Sequence, residues 1–229
     1  MKKTILLAFT LLLIGHQLIG QSIPLGTPVI PDYLRRQQLL GKLDSSFSFN
    51  YRPLVIGKNG LKIDSLVFDS EQYFHTITDF THKKGKVKLL PVEFRMAYDT
   101  DHPDSRNDGA MIRSRGLQTY VSAGLYTEWG PLTIQLKPEF IFAENNRYQG
   151  FPMKPRHWES TWQSRYIFFN RIDEPERYGD GNYTQATFGQ SSVRLNQWGL
   201  SLGLSTENIW WGPAIRNSIM MSNNAQGFP

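Results

Sequence analysis

Two long arms that alternate apolar with polar side chains constrain the fold of this chain more than any other feature. In the first arm, residues 117–129, one face carries Leu117, Val121, Ala123, Leu125 and Trp129, and the other carries Gln118, Tyr120, Ser122, Tyr126 and Glu128. After Gly130-Pro131, which signals a turn, the second arm sets Leu132, Ile134, Leu136, Phe140 and Phe142 against Thr133, Gln135, Lys137 and Glu139. Because a period of two residues is typical of β-strands, the sequence predicts an antiparallel hairpin.

This hairpin fits two kinds of protein. Each arm has about the ten residues that a tilted strand needs to cross a bilayer, and Trp129 beside the turn suits a membrane interface. These features favour a membrane β-barrel, whose apolar side chains face lipid and whose polar side chains face the lumen. A soluble β-sandwich buries its apolar face and shows the same alternation, so it stays open as an alternative.

Further strands are predicted on both sides of the hairpin. Residues 90–98 place Leu90, Val92, Phe94, Met96 and Tyr98 on one parity, with Glu93 and Arg95 on the other. Residues 197–204 alternate Trp198, Leu200, Leu202 and Leu204 with Gln197, Gly199, Ser201 and Gly203, and the inward glycines leave room for a neighbouring backbone. Residues 144–192 predict one or two strands joined by long loops, and residues 66–80 fit a helix better than a strand.

The N-terminus has the pattern of a secretory signal peptide. Lys2 and Lys3 precede an apolar run at residues 5–14, and cleavage is expected after Gly20. The run is shorter than the roughly 20 residues that a membrane-spanning helix needs, although an N-terminal anchor stays open as the alternative. The chain has no cysteine, so neither a lipid-modified cysteine nor a disulfide framework is available.

A short segment with helices, residues 21–82, is expected between the signal peptide and the strands. Asp32 is a candidate N-cap for a helix over residues 33–40, Gly41 is a stop signal, and the apolar face comprises Leu34, Leu39, Leu40 and Leu43. Phe47, Phe49 and Tyr51 then alternate with polar residues and predict a half-buried strand that ends at Arg52-Pro53.

Charge and hydropathy exclude two classes of protein. The formal net charge is +5, and loss of Lys2 and Lys3 with the signal lowers it by two. Basic residues are scattered among acidic ones without a stripe, and the local basic run at residues 82–86 is explained by a solvated turn, so nucleic-acid binding is not expected. Beyond the signal no run of 18 apolar residues occurs, which excludes transmembrane helices and leaves a transmembrane barrel open.

Catalytic and metal motifs are sparse, so we expect no enzyme activity, no metal and no cofactor. The histidines (His16, His75, His82, His102 and His157) lack metal-ligand spacing, and no Gly-x-Ser-x-Gly motif occurs. Three minor alternatives are a cation held by His102, Asp104 and Asp108, a serine hydrolase using His157, and a carboxylate pair of Glu128 and Glu139. Turn chemistry explains the first, and Lys137 on the same face as the last favours structural ion pairs.

Two regions combine aromatic rings with planar polar groups, as sugar binding requires. The first comprises Arg156, Trp158, Trp162, Arg165 and Tyr166, and the second comprises Glu207, Asn208, Trp210, Trp211 and Arg216. The alternative for the first region is a helical face packed as core or an interfacial aromatic belt. The alternative for the second is an interfacial aromatic pair followed by a Gly-Pro turn.

Several short motifs, in order along nearly the whole chain, resemble the capsule assembly Wzi family of Gram-negative outer-membrane proteins. They are Leu34-Arg35 to Leu43, Ser48 to Leu54, Lys88 to Pro91, His102-Pro103, Asn107 to Ala110, Gly116 to Gln118, Gly130 to Leu132, Lys137 to Phe140, Trp210 to Pro213 and Ser222 to Ala225.

The resemblance implies an outer-membrane antiparallel β-barrel preceded by a short periplasmic helical segment. We therefore expect a signal peptide at residues 1–20, a periplasmic segment at 21–82 and barrel strands at 83–229, about eight to ten in number. Family members are roughly twice this length, so the chain is expected to be an N-terminal portion of a longer protein, or a truncated gene product, with an incomplete barrel.

The resemblance also implies a function. The expected role is non-enzymatic: binding or attaching capsular or exported polysaccharide at the cell surface, with outer-membrane lipid and the barrel-assembly machinery as further partners. A porin-like channel and a soluble carbohydrate-binding sandwich are the alternatives.

Overall fold

A computed structural model of the chain describes residues 20–25, 29–57, 61, 74–80, 85–148, 162–167, 177–197 and 200–228. The predicted signal peptide lies outside the described residues except for Gly20. The elements before the main sheet are β1 (Gly20–Ile23), α1 (Ile30–Leu39), β2 (Tyr51–Arg52) and β3 (Leu54–Gly57). Strand β1 pairs with β3 in a small antiparallel sheet.

The main sheet has eight antiparallel strands, so the prediction of an all-β antiparallel fold is confirmed. They are β4 (His75–Phe80), β5 (Gly85–Asp99), β6 (Gly116–Trp129), β7 (Leu132–Leu136), β8 (Glu139–Ala143), β9 (Tyr183–Thr187), β10 (Ser192–Gln197) and β11 (Leu200–Ser205). Strands β7 and β8 follow each other along one side of β6, and β9 and β10 follow each other along β8 and β7. The sheet is therefore an antiparallel meander of long strands. Two of these long strands are interrupted, one between β7 and β8 and the other between β9 and β10.

The predicted hairpin is confirmed in strand type, turn and facing. The polar set of both arms is buried, and the apolar set is exposed or partly exposed. Cross-strand pairs such as Phe94 with Val121 and Val121 with Phe140 keep apolar side chains on one face over three neighbouring strands. The interruption between β7 and β8 falls at Pro138, which has no N–H to donate to a ladder.

Strand β5 corrects one part of the predicted alternation. The pairing shifts by one residue between Leu90, opposite Gly124, and Glu93, opposite Ser122. This bulge lies at Pro91, a residue that strands accommodate at such irregularities. As a result Leu90 is buried, and Leu89 takes the exposed position that the strict alternation assigned to Leu90.

The N-terminal segment differs from its prediction in two places. Helix α1 begins at Ile30 after Val29, so Asp32 lies in the first turn and is not the N-cap; Pro31 near the helix start suits that position. Gly41 ends the helix with φ +74° as predicted, but Leu39 and Leu40 are exposed. The predicted strand at residues 46–51 is wrong, because only Tyr51–Arg52 forms a strand there.

Two further ranges complete this comparison. The helix preferred for residues 66–80 is wrong at 75–80, which form β4 in the main sheet, and residues 66–73 lie outside the described residues. For residues 144–192 one or two strands were predicted; the described residues of this range contain one strand, β9, with β10 beginning at residue 192, and a short helical stretch at 162–167. The inward Gly203 packs against a neighbouring backbone as predicted, since a Cβ there would meet the Val193 carbonyl oxygen at 2.2 Å.

The main hydrophobic core lies between the N-terminal segment and the inward side of the sheet. It comprises Ile23, Leu34, Leu43, Phe49, Leu54, Ile56, Leu61, Phe74, Leu90 and Tyr126. A second, smaller cluster joins Ala110 and Met111 of the loop after β5 to Tyr120, Ile141 and Tyr183. Thus the N-terminal segment and this loop both cover the same face of the sheet.

The two ends of the sheet have connections of very different length. Residues 81–84, 130–131 and 198–199 connect strands at one end, whereas residues 100–115 and 144–182 connect them at the other. We call these the short-turn end and the long-loop end. Among the described residues, no helix combines the length and apolar character that crossing a membrane requires.

Gly124 provides a test of the strand spacing in the centre of the sheet. A Cβ at this position would lie 2.3 Å from the Leu136 carbonyl oxygen, so Gly124→Ala must push β6 and β7 apart. We expect a loss of about 1–3 kcal/mol in the free energy of unfolding, as for other overpacked sites. Urea unfolding of the purified chain measures this. Gly181→Ala is the matched control, because a Cβ there meets open space, and equal losses in both variants would contradict the account.

Candidate functional site

The two faces of the main sheet differ in the opposite sense from a water-soluble sheet. The outward face carries large apolar side chains that are exposed: Leu89, Val92, Phe94, Met96, Tyr98, Val121, Leu125, Trp129, Ile134, Leu136, Phe140, Val193, Leu195, Leu200, Leu202 and Leu204. The inward face carries buried polar and charged side chains, including Lys88, Gln118, Glu128, Gln135, Lys137 and Glu139. Candidate ligand groups therefore lie on the inward face and at its ends.

Ion pairs stabilise the charges on the inward face near the interruption of the sheet. The Lys137 ammonium donates to Glu93 at 2.9 Å, and the side chains are 5% and 16% exposed. Arg95 lies 3.2 Å from the same carboxylate, and its guanidinium stacks 4.1 Å from the centroid of the Tyr120 ring. Lys137, Glu128 and Glu139 share this face as predicted, and the partner found for Lys137 is Glu93.

Glu139 and Glu207 connect the sheet to the segments that cover it. The Tyr120 hydroxyl and the Gln190 amide each donate to Glu139 at 3.0 Å. Glu207, which is 3% exposed, pairs with Arg194 and accepts hydrogen bonds from Ser22 in β1 and from Gln135 at 3.1 Å. One buried carboxylate thereby joins the N-terminal segment, two strands and the segment after β11.

A cavity forms where the N-terminal segment meets the segment after β11. There β12 (Trp210–Trp211) pairs with β2, which sets Arg52 opposite Trp210, and the guanidinium lies 4.7 Å from the ring centroid. We call this space the Trp210 cavity. It has a volume of about 180 Å³ and is lined by Leu25, Val29, Pro31, Asp32, Arg52, Asn107, Trp210, Ile215 and Asn223.

The Trp210 cavity has one cation and one anion in its wall. Arg52 is 9% exposed and donates to the Ala214 carbonyl oxygen at 2.7 Å. Burial lowers the pKa of Arg52 and the nearby Arg35 guanidinium lowers it further, whereas the Asp32 carboxylate opposes both effects. The charges of Arg52 and Asp32 offset each other, so the lining has no strong preference for a charged ligand.

Asparagines hold the loop after β5 against the segment after β11 at the same place. The Asn223 side chain donates to the Asn107 carbonyl oxygen at 2.6 Å, and its own carbonyl oxygen accepts from Asn208. The Asn107 backbone N–H donates to the Asn224 side chain at 2.8 Å. Motif segments far apart in sequence, at residues 48–54, 107–110, 210–213 and 222–225, therefore meet around one cavity.

The structure separates the two predicted sugar-binding regions and divides the second. In the first region, Arg156 and Trp158 lie outside the described residues. Trp162 and Tyr166 are 50% and 69% exposed on the 162–167 helical stretch, so they are not core residues, and Arg165 lies 5.6 Å from the Trp162 ring. In the second region, Trp210 lines the cavity, Glu207 and Asn208 are buried in the polar network, and Trp211 and Arg216 are exposed.

Sequence reasoning missed the four polar residues that line the cavity beside Trp210: Asp32, Arg52, Asn107 and Asn223. The sequence pattern identifies Arg52 only as a strand end and Asp32 only as a helix cap. Arg52, Asn107 and Asn223 belong to short motifs of the family resemblance, as Trp210 does. Their shared membership in that set of motifs was the available signal. Among the described residues, no group of three or more His, Asp or Glu side chains could hold a metal ion.

Comparison with known proteins adds no assignment to this geometry. No protein-family model, curated protein or solved structure matches the chain.

The Glu207 carboxylate provides a test of the polar network. Glu207→Ala leaves Arg194, whose side chain is 31% exposed, without its partner and removes the acceptor of Ser22 and Gln135. We expect a loss of about 3 kcal/mol in the free energy of unfolding, as for other broken buried pairs, and faster proteolysis of the N-terminal segment. Asp180→Ala breaks the exposed ion pair with Arg177 and should change little. Equal stability of the two variants would rule out this role for Glu207.

Proposed function

We propose that this chain is a non-enzymatic outer-membrane protein that binds or attaches capsular or exported polysaccharide at the cell surface. Its main sheet forms part of the wall of an antiparallel β-barrel, with the outward face in lipid. Binding uses stacking on aromatic rings and hydrogen bonds from arginine and asparagine, without covalent chemistry.

The exposed apolar face of the main sheet carries this proposal. Keeping a large apolar side chain in water instead of burying it costs about 1.5–3 kcal/mol, and Phe94, Leu202 and Leu204 are 63%, 79% and 84% exposed. Summed over the sixteen exposed residues of the outward face, this free-energy cost exceeds the net stability of an ordinary domain. Lipid removes that cost, whereas a soluble sandwich must cover the face with protein.

The unequal ends of the sheet support an orientation across the membrane. Outer-membrane barrels have short periplasmic turns and longer extracellular loops. The long-loop end therefore faces the cell surface, and the short-turn end with Trp129 faces the periplasm. The N-terminal segment packs on the inward side of Leu90 and Tyr126, and its Asp32 and Arg52 line a cavity with Asn107 of a long-loop connection, so the segment extends along the inward face towards both ends.

Polysaccharide binding is supported by the groups at the long-loop end and by the family resemblance. Trp162 and Tyr166 lie exposed, and Arg165 partly exposed, on one short helical stretch of the longest connection. A cavity of about 500 Å³ at the same end is lined by Ser105, Met111, Ile112, Arg113, Arg177, Tyr178 and Asn224. Aromatic faces and arginine donors suit the apolar ring faces and hydroxyl or carboxylate groups of sugars.

A charged substitution on the outward face tests the lipid environment. If Phe94 faces lipid, Phe94→Arg should lower the free energy of unfolding by about 2–4 kcal/mol and reduce the amount of folded protein in the membrane fraction. In water the same exposed substitution would be within about 0.5 kcal/mol of neutral. Thr100→Arg, in an exposed loop position, is the control. Normal membrane recovery of Phe94→Arg, or recovery of the wild-type chain in the periplasm without detergent, would refute the membrane assignment.

Ring removal at the long-loop end tests the polysaccharide assignment. Trp162→Ala should weaken binding of purified protein to the host's capsular polysaccharide about five- to tenfold, because one stacking contact is lost. Trp129→Ala removes the same ring type at the short-turn end and should leave affinity unchanged. Surface plasmon resonance on detergent-purified protein measures both variants. Ion conductance in a planar bilayer without polysaccharide binding would favour the porin-like channel instead.

A further inference from the structure

The cavity of about 500 Å³ at the long-loop end has the size of a small-molecule site, for which about 300–1,000 Å³ is typical. We call it the Arg177 cavity. Three segments form its walls: Ser105 and residues 111–113 of the loop after β5, Arg177 and Tyr178 of the connection between β8 and β9, and Asn224 of the segment after β11. Tyr178 is 54% exposed and Asn224 is also exposed, so a ligand can enter from the surface.

A buried asparagine holds the wall that contains Arg177 and Tyr178. The Asn145 side chain is fully buried and donates to the carbonyl oxygens of Tyr178 and Gly181 at 2.7 and 2.9 Å. In return, Arg177 donates to the Asn145 carbonyl oxygen through Nε at 3.0 Å and through Nη2 at 2.8 Å. The Tyr183 ring packs edge-to-face on Tyr178, with 5.7 Å between the ring centroids. Both side chains of this wall are therefore positioned by the fold.

The wall that contains Arg113 is held in a similar way. The buried Gln118 side chain accepts from the Ile112 backbone N–H at 2.9 Å and donates to the Ile112 carbonyl oxygen at 2.8 Å. These two bonds fix the backbone immediately before Arg113. A site whose walls are fixed in advance loses less conformational entropy when a ligand binds.

The charged side chains in the lining are both positive. They are Arg113 and Arg177, and no Asp or Glu of the described chain is part of the lining. A guanidinium has five N–H donors. Within the described chain Arg177 uses three of them, on Asn145 and Asp180, so two remain for a ligand. The Asp180 side chain is 89% exposed, so water screens its attraction for Arg177. The lining therefore favours an anionic ligand.

Two carboxylates of the loop after β5 are held by that loop. Asp104 accepts from the Ser105 backbone N–H at 2.9 Å, and Asp108 accepts from the Arg106 backbone N–H at 3.0 Å. Neither residue lines the cavity. Their charges reduce the positive potential of this loop but do not place a carboxylate in the wall.

The uncharged part of the lining indicates more than a simple anion. Tyr178 offers a ring face, and Met111 and Ile112 add apolar surface for C–H groups. The Ser105 hydroxyl and the Asn224 amide supply donors and acceptors for hydroxyl groups. A planar carboxylate matches the fork of a guanidinium. A sugar that bears a carboxylate combines all three kinds of group.

We propose that the Arg177 cavity binds a uronic acid residue, with the carboxylate on Arg113 and Arg177 and the sugar ring beside Tyr178. The polysaccharide of the proposed function is therefore an acidic one. The inference rests on the proposed function for the choice of a saccharide, and it names the substrate class of the same end of the sheet.

Ligand-observed NMR titration of the full chain in detergent tests this with D-glucuronate, D-galacturonate, D-glucose and D-galactose. At least one uronate should bind about tenfold more tightly than its neutral counterpart, from which it differs by one carboxylate. Sodium chloride should reduce this preference, because salt screens the attraction between the charges. Inorganic phosphate is the competitor that represents a free anion, and it should bind more weakly than that uronate.

Two arginines of the same loop give a matched pair of variants. Arg113→Gln removes a positive charge from the lining and should weaken uronate binding about tenfold. Arg106→Gln removes the same charge from an exposed residue outside the lining, so uronate affinity should stay unchanged.

A third variant guards against loss of binding through misfolding. Asn224→Asp keeps the shape of an exposed side chain and the oxygen that accepts from the Asn107 backbone N–H. It adds a negative charge to the lining and should weaken uronate binding about three- to fivefold, with the unfolding midpoint unchanged.

Four results would each overturn the inference. They are equal affinity for the uronates and their neutral counterparts, no binding of either uronate, equal effects of Arg113→Gln and Arg106→Gln, and tighter binding of inorganic phosphate than of either uronate. Polysaccharide binding and membrane fractionation, measured on the same preparations, report the proposed function separately. A chain that binds polysaccharide without preferring uronates refutes only the acidic class. A chain that binds a uronate but no polysaccharide refutes the proposed function and retains the cavity.

Discussion

A sheet that exposes its apolar face and covers its polar face needs an apolar surrounding, and the rest of the structure follows from that constraint. In water the favourable arrangement is the reverse, because apolar surface is driven to the interior and charges stay solvated. Here Lys137 and Glu139 are buried and Glu93 is partly buried instead. They are tolerated there because ion pairs and hydrogen bonds satisfy them, and the N-terminal segment and the loop after β5 cover them. The same cover lies on the inward face alone and leaves the outward face uncovered.

The covering segments are held by a small number of buried polar contacts. Glu207 joins β1 to the sheet, Arg52 stacks on Trp210, and Asn223 holds the loop that contains Asn107. Each contact connects parts of the chain that are far apart in sequence. The Trp210 cavity lies where these contacts meet, so the site depends on the arrangement of three segments and not on one motif.

Local periodicity predicted the hairpin and the strands beside it, but it predicted a strand at residues 46–51 that does not form and missed the strand at 75–80. The alternation at residues 117–142 is a property of neighbouring residues. In both arms of the hairpin the polar side chains of this alternation are buried and the apolar ones are exposed or partly exposed. Leu90 departs from this alternation because the bulge at Pro91 shifts the side chains before it to the opposite face. Pro91 was the feature of the sequence that indicated such an irregularity. The helix start was misplaced because Asp32 suits both an N-cap and a first turn. Arg52 and Asn107 could not be assigned to a site, since their position beside Trp210 depends on long-range pairing of β2 with β12.

The most direct measurement of the central claim uses the absence of cysteine from the chain. Single cysteines at Val121, Phe140 and Leu202 on the outward face, and at Thr100 in a loop, can carry a nitroxide spin label in reconstituted bilayers. The account predicts that the three outward labels are relaxed mainly by oxygen, which concentrates in lipid, and the Thr100 label mainly by a water-soluble nickel complex. Equal access of the nickel complex to all four labels would contradict it.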